Sequence, residues 1–431
     1  MRRNLTALTT DVTCFCIGLA FLDSSAVLPL LLQRLGASGP LIGSFAMLRS
    51  LTFSFSQIFV AYIAQGRQRH KPPLAWIAAV TRLPLLVLPY FLIHATDSAF
   101  ARIAALFATF TLLGIWSLGD GLGYVPWMEI VARSFTERTR GRFFSTTQTI
   151  AALVSVGTAL LLVRPILSAS GLPYPKNYAL LAAFFTLFML ISLLGVLLIH
   201  EPPPPEQTDD AAERLTFRDY FARLPAILKS NPTFTRLSNV ELLALFGSAA
   251  QPFYVLEAKA RFHLSDSWGG IYQALMALSV VAMLPLWTYL SERRSPASAV
   301  RGVAFGCLLA PLLALTVGRI SPAWYGLVFL TLGGSLGMGM WTVINHYLLS
   351  HADEAERPVL VGLLNLRSTP VAFYPLLGGL LVSKTGLLRW HDTPILFVLV
   401  ALVTAVGFGF ALKLPEPQNR PVVNLYDERI E

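Results

Sequence analysis

The chain has 431 residues, of which 55% are hydrophobic and only 13% are Asp, Glu, Lys or Arg. Because a soluble globular domain has about 25% charged residues, this composition excludes that class and predicts an all-α integral membrane protein. The three cysteines, Cys14, Cys16 and Cys307, all lie inside apolar runs. This placement favours small core residues over disulfides or metal ligands, so we expect no metal site and no cofactor.

Apolar runs of bilayer length follow one another along the chain and predict twelve transmembrane helices. Six runs precede a polar stretch and six follow it. We therefore expect two pseudo-symmetric six-helix bundles, residues 1–200 and 234–413, with a cytoplasmic linker at 201–233 and a cytoplasmic tail at 414–431. The runs fall at about 12–33, 41–64, 74–95, 103–128, 144–168, 177–199, 236–257, 268–290, 299–318, 323–348, 359–383 and 393–413.

The linker begins with Glu201 and four prolines at 202–205, which stiffen the exit from the sixth span. Residues 215–230 read LTFRDYFARLPAILKS and place apolar side chains on one helical side and charged ones elsewhere. We expect this amphipathic segment to lie on the membrane surface.

The loops at one end of the predicted bundle carry more than twice as many Lys and Arg residues as those at the other end. Basic loops stay inside, so both termini are predicted to be cytoplasmic in a multi-pass protein of the cell inner membrane. This asymmetry also explains the net charge of +9 without a nucleic-acid partner.

The two halves resemble each other in sequence. The segments 35–45 and 261–272 are both short outer loops with a glycine entering the next helix, Gly43 and Gly269. The segments 119–142 and 333–357 align with Trp127 opposite Trp341. Repeated halves with a site between them are typical of transporters.

Six plus six spans, a long middle loop and basic loops after spans 2, 4 and 8 resemble the major facilitator superfamily. The stretch from Tyr62 to Lys71 matches that family's loop after span 2 at Arg67 and Lys71, and the segment after span 4 matches it with Pro126 and Arg140-Gly141-Arg142. The resemblance implies a central cavity lined by spans 1, 4, 7 and 10.

An acid in the middle of the first span is the sharpest functional signal. Asp23 lies about ten residues before the outer end of its helix, and Arg49 lies about nine residues into the next. At 1.5 Å per residue, both are roughly 14–15 Å deep, near the midplane. We expect Asp23 and Arg49 to form an ion pair. Either Asp23 alternates between Arg49 and a proton during transport, or the pair is static and fixes the packing of the two helices.

Other polar residues fall in spans that the resemblance places at the cavity or beside it. Asp120, between two glycines, is a second candidate for a proton or cation site, and Arg367 is a candidate partner for Glu241 or for an anionic solute. The full set of cavity candidates is Asp23, Arg49, Asp120, Glu241, Arg367, Asn345 and His346.

Charged residues at the inner helix ends are candidates for a cytoplasmic gate, as the resemblance implies, or set topology alone. Gly66 stands where the family has an acid, so another acid such as Glu137 would complete a first-half clamp. The gate candidates are Arg67, Lys71, Arg140, Arg142, Glu292 and Arg293.

The predicted function is secondary active transport of a small organic solute, driven by H⁺ and using alternating access, by a monomer. Export of an amphipathic compound is favoured over uptake on aromatic content. The alternatives are a transporter of a lipid or long-chain amphipath and a non-transporting sensor or assembly factor. An enzyme is excluded because no catalytic constellation emerges. The solute, the stoichiometry and any switching of the Asp23–Arg49 pair do not follow from sequence.

Overall fold

The computed structural model describes residues 2–64, 69–168, 170–201, 231–351, 360, 363–364, 366–383 and 393–416. All regular structure in these ranges is helical. The predicted linker and tail therefore lie almost wholly outside the described residues.

The first half contains nine helices, some of which continue one another across a break. They are α1 (Arg2–Phe21), α2 (Val27–Arg34), α3 (Gly39–Ala64), α4 (Lys71–Arg82), α5 (Leu88–Ile93), α6 (Ala99–Ser134), α7 (Glu137–Thr158), α8 (Arg164–Ser168) and α9 (Lys176–Leu198).

The second half contains eight further helices in the described ranges. They are α10 (Pro232–Ala244), α11 (Gln251–Phe262), α12 (Trp268–Arg293), α13 (Pro296–Leu315), α14 (Pro322–Ser335), α15 (Met338–His351), α16 (Tyr374–Val382) and α17 (Thr393–Leu412).

Nine helical stretches within the described residues are long and apolar enough to cross a membrane. They coincide with predicted spans 1, 3–6, 8–10 and 12. The second span is the single helix α3, the seventh is divided into α10 and α11, and the eleventh is described only in part. The finding is a multi-pass helical membrane protein, and the count of twelve remains a prediction.

The helix ends define two ends of the molecule. The Arg34 end carries the loops at 35–38, 94–98, 263–267 and 320–321, and the His70 end carries those at 69–70, 135–136 and 294–295. The sequence prediction places the Arg34 end outside the cell.

The two halves are packed together at the Arg34 end. In α3, a Cβ on Gly43 would collide with the carbonyl oxygen of Pro375 at the start of α16. In α12, a Cβ on Gly270 would come within 2.9 Å of backbone atoms of both Ala159 and Arg164, beside a π-helical turn that follows α7. Small residues allow such close helix contacts in membranes. The second span thus meets the eleventh, and the fifth meets the eighth.

Candidate functional site

The first transmembrane helix is broken at Asp23. α1 ends at Phe21 and α2 begins at Val27. The backbone N–H groups of Ser25 and Ala26 donate to Oδ1 of Asp23 at 2.9 and 2.8 Å. Backbone donors at the start of a helix have no intrahelical partner, so this carboxylate satisfies them where water is excluded. The sequence prediction of one continuous helix was wrong here.

The second half has a matching break in its first span. α10 passes into a 3-10 turn at Leu245–Ala249, and α11 begins at Gln251. Nε2 of Gln251 donates to Oγ of Ser25 at 2.7 Å, so the two breaks touch. Discontinuous helices that meet between two halves commonly form the binding sites of transporters.

A cavity of about 360 Å³ lies where the two breaks meet. One side comes from the α1–α2 break, α3 and α6, and the other from the α10–α11 break and α16. Hydroxyl groups and two opposite charges dominate its polar surface. The lining residues are Ser24, Ala46, Arg49, Ser50, Ser117, Asp120, Ser248, Gln251, Pro252 and Pro375.

Arg49 lies on the cavity wall and makes no ion pair with the residues that the structure describes. Its guanidinium carbon is 5.6 Å from the ring centroid of Trp116, a cation–π distance. Among the residues described, no carboxylate oxygen lies within 4.0 Å of its nitrogens. The predicted Asp23–Arg49 ion pair is therefore not formed in this conformation, since the backbone of the break holds Asp23. Arg49 stays within electrostatic range of both Asp23 and Asp120.

Asp120 faces the same cavity from α6. The preceding residue, Gly119, packs directly against the side chain of Thr81 in α4. One helical turn before Asp120, Oγ of Ser117 donates to the carbonyl oxygen of Arg49 at 3.2 Å. This hydrogen bond ties α3 to α6 and places the acid and the base on one wall.

A buried polar cluster in the first half was not predicted. Nη1 of Arg82 is 3.9 Å from Oδ1 of Asp11 and donates to Oγ of Ser192 at 2.9 Å. Nε1 of Trp127 donates to the other Asp11 oxygen at 2.9 Å. The sequence prediction began the first span at residue 12 and therefore left Asp11 outside the bilayer, whereas α1 begins at Arg2. The signal that was missed is Arg82 itself, because an arginine inside a predicted span needs a buried polar partner.

Arg367 is held by the seventh span. Its Nη1 and Nη2 donate to Oγ of Ser238 and to Oδ1 of Asn239, both at 2.5 Å. Glu241 interacts electrostatically with Arg367, but within the described ranges the two form no ion pair closer than 4.0 Å. The structure thus brings Arg367 to α10 and leaves Glu241 as a separate, half-buried acid.

Asn345 and His346 lie away from this cavity. Nδ2 of Asn345 donates to the carbonyl oxygen of Trp341 in its own helix at 2.7 Å. Nδ1 of His346 is 2.6 Å from Oγ of Ser291 in α12. In this conformation Asn345 bonds only within α15 in the described structure, and His346 links α15 to α12.

The structure describes the side chains of only some of the gate candidates. Arg67 lies outside the described residues, as do the side chains of Arg140 and Arg142. Glu292 and Arg293 are exposed at the end of α12.

The side chain of Glu137 lies outside the described residues. Among the residues that the structure describes, Glu201 is an acid that contacts the start of α4 at Lys71. Its carboxylate accepts from the backbone N–H groups of His70 and Lys71 at the start of α4, and it lies 3.9 Å from Nη1 of Arg133. An acid at a helix N-terminus is stabilised by the helix dipole. These contacts join the first residue of the linker to the first half and do not reach the second half.

The Arg34 end carries a charged cluster that joins the halves. Oδ2 of Asp266 accepts from Nε of Arg34 at 2.9 Å and from the hydroxyl of Tyr178 at 3.0 Å. Oδ1 of Asp266 forms an ion pair with Nζ of Lys259 at 2.6 Å. Burial raises the pKa of this loop carboxyl, but the hydrogen bonds from Arg34 and Lys259 outweigh burial and lower it below its ordinary value. We call Arg34, Tyr178, Lys259 and Asp266 the Asp266 latch.

The aromatic residues Trp116, Trp127, Trp341, Phe253 and Tyr254 of the predicted spans are not part of the described cavity lining. Phe253 and Tyr254 are fully buried in the core, and Trp127 is bonded to Asp11. Trp116 is buried beneath Arg49, and Trp341 is 60% exposed.

The family described as Major Facilitator Superfamily matches residues 13–369. No curated protein matches the sequence significantly.

Three similar solved structures are all of transporters. A bacterial homologue of the iron transporter ferroportin in an inward-facing state has a TM-score of 0.67 and 15% identity, covering 96% of this chain and 99% of that one. An auto-inhibited POT family peptide transporter gives 0.66 and 14%, covering 96% of each chain. The D323A mutant of the nucleoside transporter NupG gives 0.68 and 12%, covering 95% and 98%. At such identities these structures show the fold. Because the family match covers most of its length, the chain belongs to the Major Facilitator Superfamily, which indicates a membrane transporter rather than an enzyme.

Proposed function

We propose that this protein is a proton-coupled secondary transporter that moves a small polar solute between two six-helix bundles by alternating access. The observation that carries the proposal is the cavity between the two helix breaks, with Arg49 and Asp120 on its wall. Intramembrane charges that face a cavity are typical of substrate and ion pathways. Twelve spans, cytoplasmic termini, the inner membrane and a monomeric state belong to the same proposal.

The contacts between the halves support alternating access. At the Arg34 end, the Asp266 latch and the close packing of α3 on α16 join them. At the His70 end, the ion pairs of the described residues, such as Arg133–Glu201 and Arg301–Glu416, stay within one half. The halves would therefore separate at the Arg34 end only if the latch opens.

Proton coupling is assigned to Asp120, with Asp23 as a second site. A proton on Asp120 removes the charge that would hold a cationic group of the solute. Because proton and solute then exclude each other at one carboxylate, the coupling favours exchange. With an inward proton gradient, exchange drives export.

The rival functions are less well supported. A lipid carrier needs an apolar cavity, whereas this one is lined by four serines, a glutamine and two charges. A sensor or assembly factor needs no solvent-accessible charges at its centre, and Arg49 and Asp120 are both only half-buried.

Purified protein in liposomes with an internal pH dye tests the proposal. Addition of a broad solute panel should produce proton movement with at least one compound. Asp120→Asn should lower that signal at least about tenfold, because the coupling charge is gone. Asp97→Asn, in an exposed loop, serves as the control and should leave the signal unchanged. Absence of any solute-dependent proton movement across the panel would contradict the proposal.

A further inference from the structure

Arg49 and Asp120 carry opposite charges, but in the described structure their side chains do not contact each other. Both line the cavity. The hydrogen bond from Ser117 to the carbonyl oxygen of Arg49 joins α6 to α3 about one helical turn before Asp120. Their nitrogens and oxygens are more than 4.0 Å from each other, since no ion pair joins them in the described part of the chain. The ring of Trp116 holds the guanidinium on one side. Each charge is therefore available to a ligand.

This arrangement discriminates by charge. A simple cation drawn to Asp120 is repelled by Arg49, and a simple anion drawn to Arg49 is repelled by Asp120. Because Arg49 and Asp120 are both half-buried, these repulsions are stronger than they would be in bulk water. A solute with both charges avoids both penalties when its anionic group lies at Arg49 and its cationic group at Asp120.

The remaining surface suits a small, polar body. Oγ of Ser248 is buried on the cavity wall and has no hydrogen-bond partner in the described structure. A buried hydroxyl left unbonded is costly, so a bound solute that bonds it is favoured. The volume of about 360 Å³ is at the low end of the range of about 300–1,000 Å³ for small-molecule sites. Aromatic side chains are absent from the described lining.

We infer that the transported solute is a small zwitterion with an ammonium and a carboxylate group, such as an amino acid or a dipeptide. The inference rests on the proposed transport function and names the substrate class of the same cavity. A divalent metal ion is the alternative chemistry, but within the described ranges no three His, Cys, Asp or Glu side chains are grouped to hold one.

Exchange assays with the full chain in liposomes test this inference. The probes are radiolabelled alanine, γ-aminobutyrate and dialanine, each compared with its N-acetyl form, which lacks the cation, and its amide, which lacks the anion. At least one zwitterion should exchange, and each modified form should exchange about tenfold or more slowly, since a charged hydrogen-bonding group is lost.

Two variants give a readout that loss of folding cannot produce. Arg49→Gln removes the repulsion of cations, so it should raise the rate of the amide relative to the zwitterion. Asp120→Asn should instead raise the relative rate of the N-acetyl form. Arg319→Gln, at an exposed position, should keep the selectivity of the unmodified protein.

Further probes in the same liposomes separate the inference from the proposed function. Exchange of amphipathic monocations, or uptake of Fe²⁺ or Mn²⁺, without exchange of any zwitterion would overturn the substrate class and leave the transport function standing. A panel in which no organic solute and no metal ion moves would overturn both.

Discussion

Three carboxylates in the first half have different environments that their sequence neighbours do not reveal. Asp23 accepts from backbone amides, Asp120 faces the cavity, and Asp11 is bonded by Arg82, Ser192 and Trp127. Of these acids, only Asp120 lines the space where a solute would bind. We therefore expect changes at Asp120 to affect transport, and changes at Asp11 to affect stability.

Removal of Asp11 should destabilise the protein. Asp11→Ala leaves Arg82 buried without its carboxylate, and breaking a buried pair costs about 3–5 kcal/mol. Thermal unfolding of the purified protein in detergent should show a lower midpoint. The double variant Asp11→Leu/Arg82→Met removes both charges and should recover much of the loss. Asp97→Ala is the control, and an unchanged midpoint in Asp11→Ala would contradict the assignment.

At the scale of the element, the apolar runs predicted most helices but not where they break. Hydropathy reports whether a segment can enter a bilayer, and it does not detect a break of about five or six residues inside that segment. The breaks at 22–26 and 245–250 therefore passed as continuous spans, although Asp23-Ser24-Ser25 and Gly247-Ser248 are turn-forming residues.

The predicted contact between Asp23 and Arg49 is not formed in the described structure, and the packing of the helices gives the reason. Consecutive spans were expected to be neighbours, which favoured Asp23. Around Arg49, however, α3 packs on α6, through hydrogen bonds from Thr52 to Ser117 and from Ser56 to the carbonyl oxygen of Leu118. α1 packs mainly on α9 and α7. Sequence alone gives depth in the membrane but not which helices touch.

The contact between α3 and α16 gives a prediction at this scale. Gly43→Ala adds a Cβ that collides with the carbonyl oxygen of Pro375 and should hold the Arg34 end apart. A cysteine at Ser248, with the native cysteines replaced, should then react faster with an impermeant thiol reagent applied from the Arg34 side. Gly157→Ala, where the added Cβ meets nothing within 4 Å, should leave the rate unchanged. Equal rates in both variants would contradict the role of this contact.

For the whole molecule, the Asp266 latch predicts a defined pH dependence. A carboxyl whose folded pKa is lowered stabilises the closed state above its ordinary pKa and loses that effect as the pH falls through the lowered value. Asp266 should therefore stay charged from pH 8 down to about pH 5. Over this range the Asp266 latch should keep the Arg34 end closed to the same extent. Asp266→Asn removes the charge and should speed labelling of the Ser248 cysteine at every pH. A labelling rate that rises sharply between about pH 7 and pH 5 only while Asp266 is present would contradict this.

The most direct test of alternating access is a pair of distances between spin labels in the same protein in lipid. Thr96 and Ile320 are exposed at the Arg34 end, one in each half, and Thr136 and Arg294 are exposed at the His70 end. We predict that conditions which populate the second state, such as Asp266→Asn or a transported zwitterion, lengthen the Thr96–Ile320 distance and shorten the Thr136–Arg294 distance together. Two distances that stay fixed under all conditions, or that change in the same direction, would contradict the account.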